Sequence, residues 1–578
     1  MSAKKIGVYV CQCGGNIGDY VDVDQVVAAV EKEEGVSVAK TAMFTCSDAT
    51  QSEIIADAQE QGLDGLVIAS CSPKLHTYTF RDVAKRAGMN PFQYTQVNVR
   101  EQCSWTHTDN HTGATDKALR LVRAGINRTR LTDPLEPIVV ETTPKSLVVG
   151  GGITGLRAAL GLAEVGLSVF LIEREAKLGG RVGEFTTMYP HGRNGHELIA
   201  KLEQAVRDHP AVTVFTQAEL VAKAGSFGNY EVTLAVQHGE QIETITVDVG
   251  SIVIATGADT YQPADGELGY GLDGAITIAE LKKMVEEGGP LQYNGRPVKT
   301  VAYIYCVGSR QGEDVEGGNT YCSRYCCTAA VHAATMVAAL PGKVHQYHFY
   351  RDIRTYGRYE LLYSEALEKG SAFVKFPDDE PPAVEKAPGG GVTVTAHDLL
   401  SEGEEVELTA DLVVLVTGMV PRENEGLTKA LKLPVGQSGF YNEIHPKLRP
   451  VETVVDGAYI CGCCQAPRTS SESVASGLAA VTQSAAILKR GYAELDPLVA
   501  IVDTDACTWC GACETTCPYD AIARVPLDGK EIATISKTAC KGCGGCVPVC
   551  PSDAIDLQGY TDAQIKSMID GMLEVVCQ

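Results

Sequence analysis

Two cysteine runs near the C-terminus share almost the same spacing: Cys507-x2-Cys510-x2-Cys513-x3-Cys517-Pro518 and Cys540-x2-Cys543-x2-Cys546-x3-Cys550-Pro551. A triplet followed by a distal Cys-Pro, repeated once, is the spacing of a pair of [4Fe-4S] cubanes in which the fourth thiolate of each run ligates the other cluster. Cys507, Cys510, Cys513 and Cys550 are accordingly assigned to one cubane, and Cys540, Cys543, Cys546 and Cys517 to its neighbour. Zinc knuckles and disulfides rarely use this spacing. Gly511, Ala512, Gly542, Gly544 and Gly545 are small enough for backbone amides to approach the sulfurs. The chemistry is one-electron transport.

Two further thiol groups lie upstream. Cys306-Val-Gly308-Ser-Arg310 and Tyr321-Cys322-Ser-Arg324-Tyr-Cys326-Cys327 bring four cysteines close in sequence, two of them adjacent. That number favours another cluster, with a redox dithiol/disulfide pair as the open alternative. Cys11, Cys13, Cys46 and Cys71 form the third group, for which buried free thiols are the alternative. Cys103 lies outside this pattern and reads as an ordinary core or surface thiol, and His76 and His107 read as hydrogen-bonded structural histidines.

The elements needed to position these residues are legible. Residues 1–135 alternate strand and helix, with strands at 6–10, 37–44 and 65–69 and helices at 23–30 and 52–61. Cys11 and Cys13 come after the first strand, Cys46 after the second and Cys71 after the third. A parallel sheet gathers the carboxyl ends of its strands at one edge, so the four sulfurs are expected to converge there. Asp133-Pro-Leu-Glu-Pro137 reads as a stiff linker.

A buried strand then leads into Gly150-Gly-Gly152-Ile153-Thr154-Gly155 and a helix to about 165, which is G-x-G-x-x-G in the strand-to-helix context it requires. Glu173, followed by Arg174, ends a second strand and is placed to bond ribose hydroxyls, which disfavours NADP. Gly179-Gly180-Arg181, a strand at 251–255 ending at Ala255 and leading into Thr256-Gly257, and Tyr459-Ile-Cys461-Gly462-Cys463 ahead of a helix from about 471 complete the pattern. Together these motifs resemble the FAD half of the two-dinucleotide-binding flavoproteins of the thioredoxin reductase type; an NAD-only Rossmann domain is the alternative. Cys463 stands where that type commonly carries Asp, so contact from this strand is expected through backbone. The strand expected to open a second Rossmann unit, 301–305, runs into the Cys306 group instead of a glycine loop, which removes the obvious entrance for a pyridine nucleotide.

At 578 residues the chain exceeds one core. The expected fold class is α/β, divided into an N-terminal α/β iron–sulfur domain at 1–138, an FAD domain at 139–295 with its return segment at 421–494, a second Rossmann-like domain at 296–420, a 2[4Fe-4S] ferredoxin-like domain at 495–560 and an amphipathic helix at 561–578. That helix gathers Ile565, Met568, Ile569, Met572, Leu573 and Val576 on one face, to pack on its own chain or on a partner. No apolar run reaches the roughly 20 residues of a membrane span and the apolar start is too short for a signal peptide, so the expected location is the cytoplasm, where thiols stay reduced. A formal charge of −24 makes nucleic acid and anionic membranes poor partners. Nothing pairs a nucleophile with a matched base, so hydrolytic catalysis has no support.

In their order along the chain, Tyr9-Val-Cys11-Gln-Cys13-Gly-Gly-Asn16, Ala69-Ser-Cys71-Ser-Pro73-Lys-Leu-His76, the Gly150–Gly155 loop, the Cys306 to Cys327 motifs and the terminal cysteine runs resemble the flavin-bearing A-type subunit of heterodisulfide reductase. The resemblance spans essentially the whole chain. It implies an oxidoreductase in which FAD splits an electron pair between a high-potential branch, through B- and C-type subunits to a CoB-CoM-type disulfide, and a low-potential ferredoxin. It also implies a hydrogenase, formate dehydrogenase or NADH-oxidising donor and a homodimeric core. By position, Cys306, Cys322, Cys326 and Cys327 would hold one cluster and Cys11, Cys13, Cys46 and Cys71 another. The methanogen form carries an extra ferredoxin-like module, whereas residues 182–305 here contain no cysteine, so about four clusters are expected. Arg351 and Arg354, with Arg358, and Lys447 and Arg468 are candidate tuners of the flavin; for the first three a solvated charged helix start is the alternative, and Lys447 and Arg468 carry the same ambiguity. A non-bifurcating flavin/iron–sulfur relay is the second reading, and a stand-alone NAD(P)H:ferredoxin oxidoreductase is opposed by the missing second glycine loop.

Overall fold

The computed structural model describes residues 4–188, 192–313 and 315–573, which divide into two compact units, 1–140 with 494–578, and 141–493.

In the first unit, β1 (Ile6–Cys11), β2 (Val36–Ala42), β3 (Gly65–Ser70) and β4 (Tyr94–Asn98) form a parallel sheet in the order β2-β1-β3-β4. β1 and β3 are buried along their whole length, as continuous apolar runs demand of central strands covered on both faces. The covering helices are α1 (Val23–Val30), α2 (Asp48–Gln61), α3 (Pro73–Arg86) and α4 (His111–Arg130). Each starts at a side-chain cap: Asp22 accepts from the Gln25 amide, Ser47 from Thr50, Ser72 from Lys74 and Asn110 from Gly113. Cys11 is the last residue of β1 instead of lying beyond it.

The second unit holds two five-stranded parallel sheets. The first comprises β5 (Lys145–Val149), β6 (Ser168–Glu173), β7 (Val212–Thr216), β8 (Ser251–Ile254) and, contributed late in the chain, Ala458–Ile460; it runs in the order late strand-β8-β5-β6-β7. Helix α5 (Ile153–Glu164) follows β5 directly. The second comprises β9 (Ala275–Thr277), β10 (Thr300–Val307), β11 (His345–Tyr350), β12 (Ala372–Lys375) and β13 (Leu412–Thr417), in the order β9-β13-β10-β11-β12. Helix α6 (Cys326–Ala339) connects β10 to β11. The late strand, β14 (Ala458–Ile460), leads through Cys461–Cys464 into α7 (Ser470–Leu488), which carries a capping box between Thr469 and Glu472. This is the two-dinucleotide-binding arrangement. Arg351 and Arg354 lie in a loop, whereas Arg358 lies in a 3-10 turn (Gly357–Tyr359) that runs directly into the helix beginning at Glu360.

Residues 500–557 fold as two short antiparallel pairs, β15 (Ala500–Val502) with β18 (Ile555–Leu557) and β16 (Ile522–Leu527) with β17 (Lys530–Ile535). Helix α8 (Asp562–Leu573) packs along α4, but not through the face that apolar periodicity suggests. Gln564 donates to the Leu131 carbonyl, Asn127 donates to the Ser567 carbonyl, and Gly571 lies against Ala124 and Asn127. Ile565, Ile569, Met572 and Leu573 remain exposed, and Val576 lies outside the described residues. A close approach made by Gly571 decides the docking face here. Among the described residues no helix is long and apolar enough to cross a membrane.

Candidate functional site

At the carboxyl edge of the N-terminal sheet, Cys46 and Cys71 each come within electrostatic reach of Cys11 and Cys13. Thr45 donates its amide to Cys11 Sγ at 3.4 Å. Arg100 donates to Cys13 Sγ at 3.4 Å while pairing with Glu101 and lying over the Trp105 ring. Burial pushes the Cys71 thiol up to about 11, partly offset by Arg100. Arg100 carries no motif of its own in the sequence. It stands just past β4, and extending the strand-end logic to the fourth strand would have found it. Cys103 is fully buried and donates to the Ala114 carbonyl, His107 bonds to Lys117 and His76 lies 3.4 Å from Thr79, so all three have structural partners.

The second group forms at the carboxyl edge of the β9–β13 sheet. Cys306 lies near the end of β10 with φ +64°, Cys322 sits in the following loop, and Cys326 and Cys327 open α6. The four interact electrostatically. Burial pushes Cys306 up to about 11, whereas Cys327 is lowered by a hydrogen bond from Cys326, with the backbone of Arg354 and the charges of Arg354 and Arg310 contributing. Arg310 and Arg324 also adopt positive φ, at +56° and +62°. Three non-glycine residues in the left-handed region around one thiol group store strain that the surrounding contacts must sustain, on the order of 1–3 kcal/mol each. Arg351 donates to the Arg310 carbonyl at 2.6 Å and its charge acts on Cys306; Arg354 reaches Cys322 and Asp352. Both candidate flavin tuners therefore stand against thiols, because β11 delivers them to the edge of the second sheet. Lys447 lies exposed in the loop before β14. Arg324 ties the thiol loop to the first sheet's last helix through a 2.8 Å ion pair with Glu472.

In the C-terminal region one small cavity is lined by Cys517, Cys540, Cys543 and Cys546, the crossed combination expected from the spacing, together with Pro518, Gly544 and Gly545. Cys513 interacts with Cys507 and Cys510. Backbone amides donate to sulfur from Ala533 to Cys507, Ala521 to Cys517, Ala500 to Cys540 and Ala554 to Cys550, at 3.2–3.5 Å. Among the described residues no three His, Cys, Asp or Glu side chains converge on a single ion. A cubane spreads its thiolates over four irons, so its ligands stand further apart than those of one ion.

The dinucleotide cradle is equally specific. A Cβ on Gly155 would fall 1.8 Å from the Gly150 carbonyl, and one on Gly150, at φ +108°, would meet the Ala255 carbonyl at 2.5 Å. Gly152 opens onto free space, as a pyrophosphate approach requires. Ile153 and Thr154 begin α5, and Thr154 packs against Gly462. Glu173 accepts from the Gly151 amide at 2.6 Å and from Glu175, while neighbouring Arg174 is exposed beside Glu175. Gly179 pairs with Gly151 and Gly152, which holds Gly180 and Arg181 beside the loop. Thr256 accepts from Arg422 and Asn424 ahead of Gly257. Cys463 Sγ bonds to the Arg468 carbonyl and to Ser473 on α7. Arg468 donates to Gln465 through Nη2 but keeps a buried Nε without a partner, a donor that acceptor atoms of a bound group would satisfy. These features fit FAD.

Residues 500–557 match the 4Fe-4S dicluster domain family and residues 148–218 the NAD(P)-binding Rossmann-like domain family. With the two-sheet flavoprotein architecture, they define an oxidoreductase containing FAD and [4Fe-4S] clusters. The A-type iron-sulfur subunit of CoB–CoM heterodisulfide reductase from Methanocaldococcus jannaschii is 34% identical over 99% of both chains, and one of its counterparts in Methanopyrus kandleri is 34% identical over 91% of this chain and 92% of its own. The A-type subunit of the H(2):CoB-CoM heterodisulfide,ferredoxin reductase from Methanothermobacter marburgensis is 34% identical over 90% of this chain and 91% of its own. The chain belongs to the family of A-type heterodisulfide reductase iron-sulfur subunits. The M. jannaschii alignment spans 655 positions against 578 residues here, so that relative carries insertions. Lactococcus lactis thioredoxin reductase aligns over 60% of this chain and all of its own at 16% identity and a TM-score of 0.41.

Proposed function

We propose that this chain is the electron-bifurcating subunit of a heterodisulfide-reductase-like complex. The observation that carries the reading is the thiol group at Cys306, Cys322, Cys326 and Cys327, which lies at the sheet edge where a second dinucleotide-binding unit takes its pyridine nucleotide. When bound, FAD supplies conversion between paired and single electrons. The protein's part is to hold the redox groups and set their charge environment. Cys306, Cys322, Cys326 and Cys327 hold one cubane, Arg354 and Arg310 place positive charge beside it, and Arg324 fixes its loop to Glu472. Cys11, Cys13, Cys46 and Cys71 hold a second, with Arg100 hydrogen-bonded to Cys13. The terminal runs hold two more in the crossed pattern, with Cys507, Cys510, Cys513 and Cys550 on one and Cys540, Cys543, Cys546 and Cys517 on the other. Gly150 to Gly155, Glu173, Gly180, Arg181, Ala255 to Gly257 and the Gly462–Cys463 turn form the FAD site.

The M. marburgensis relative's name joins H2, a CoB–CoM heterodisulfide and ferredoxin, and that of the Methanococcus maripaludis relative adds formate. They support a hydrogenase or formate dehydrogenase as donor, with ferredoxin on one branch and a disulfide on the other; that B- and C-type subunits carry the disulfide branch is part of the proposal. The reconstituted chain is expected to carry about sixteen iron atoms per FAD and to resist bleaching by NADH or NADPH alone. Rapid bleaching by NADPH would overturn the reading.

A further inference from the structure

A cavity of about 350 Å³ lies within the first unit, between the N-terminal sheet and the C-terminal iron–sulfur region, and shares no residue with the flavin cradle. Its walls include Arg81, Tyr94, Gln96, Arg128 and Tyr560. Arg128 is only 7% exposed, and no carboxylate among the described residues pairs with it. Its guanidinium donates to Thr95 Oγ1 at 3.1 Å and the Gly559 carbonyl at 2.8 Å and sits 4.1 Å over the Tyr560 ring, while Nε has no partner. A buried charge held only by neutral groups is costly to keep ionised. A second guanidinium, Arg81, lies 4.5 Å over Phe92, and its charge acts unfavourably on Arg128. Arg81 pairs with Asp496 at 2.8 Å, yet its Nε is also buried without a partner. Asp133, which also borders the cavity, is attracted to Lys4. Of the charged residues that line the cavity, Arg81 is paired with Asp496 and Asp133 is drawn to Lys4, which leaves Arg128 as the one facing the space without a carboxylate partner among the described residues.

We infer that this cavity binds a small oxyanion, a phosphate- or carboxylate-bearing metabolite, seated on Arg128 and Arg81. Guanidinium groups suit such ligands because their fork of N–H donors matches two oxygens at once. Arg128 as a purely structural latch between the sheet and Gly559 is the competing account. It explains Nη1 and Nη2 but not the missing counter-charge or the second arginine turned to the same space.

The test is isothermal titration of the full-length, cofactor-loaded chain with inorganic phosphate and, separately, succinate. Saturable binding of one probe at millimolar or lower concentration is expected, with the preferred probe distinguishing phosphate-bearing from carboxylate-bearing ligands. Affinity should drop at least tenfold in Arg128→Met and measurably in Arg81→Gln, with iron and FAD content unchanged. If Arg128→Met does not fold, Arg81→Gln alone decides. No saturable binding of either probe, or binding unaltered by the variants that fold, would overturn the inference. Neither result depends on whether the flavin bifurcates.

Discussion

Cys322 and Arg324 stand two residues apart and divide the work of one loop, the thiol toward Cys326 and the proposed cluster and the guanidinium toward Glu472 on α7. The ion pair is about half exposed, so its worth in stability is small, on the order of 0–1 kcal/mol, and its value lies in fixing the loop's position. Cys322→Ser is expected to remove about four iron atoms per chain while leaving FAD bound, read by iron assay and flavin absorbance on the same sample; unchanged iron would remove Cys322 from the ligand set. Gly155→Ala should do the converse. Its Cβ would meet the Gly150 carbonyl at 1.8 Å, so the loop must open, at about 1–3 kcal/mol, and FAD should be lost on desalting while iron is retained. The glycine loop and the terminal cysteine runs were legible because their chemistry is written in spacing. Arg100 and the placement of Arg351 and Arg354 were not, because a guanidinium's neighbours depend on which strand delivers it to the sheet edge.

At the scale of elements, β10, β11 and β12 share a buried aromatic stack. His348 lies between Tyr303 and Phe373, at centroid distances of 4.5 and 4.4 Å, with Tyr305 OH on its Nδ1. Burial lowers its pKa to about 3, so the folded chain keeps it neutral. The unfolded chain takes up that proton near pH 6.5. Between those values the unfolded state binds more protons, so stability falls as pH falls, by about 1.4 kcal/mol per pH unit from this group. His348→Phe keeps the stack but cannot titrate, and should flatten the acid side of a stability–pH curve followed by circular dichroism; an unchanged slope would show that another group sets it. The first three strands and the first two helices of the N-terminal sheet were readable from apolar runs, whereas its fourth strand (Tyr94–Asn98) and last two helices were not. The docking face of α8 was not, because Gly571 and Gln564, poor in apolar signal, make the close contact and leave the apolar residues outside.

The whole chain combines three thiol groups with one dinucleotide cradle, and the second dinucleotide sheet has given its edge to cysteines. That replacement is the basis on which we propose branching electron transfer, and it was visible from sequence because Cys306 follows an apolar strand where a glycine loop was expected. The number and order of electron branches depend on potentials that neither spacing nor packing encodes. They are measured by anaerobic potentiometric titration of the flavin in the reconstituted chain. Crossed one-electron potentials, the second electron leaving more readily than the first, are the predicted result. Two well-separated potentials in normal order would contradict bifurcation and leave a simple flavin-to-cluster relay.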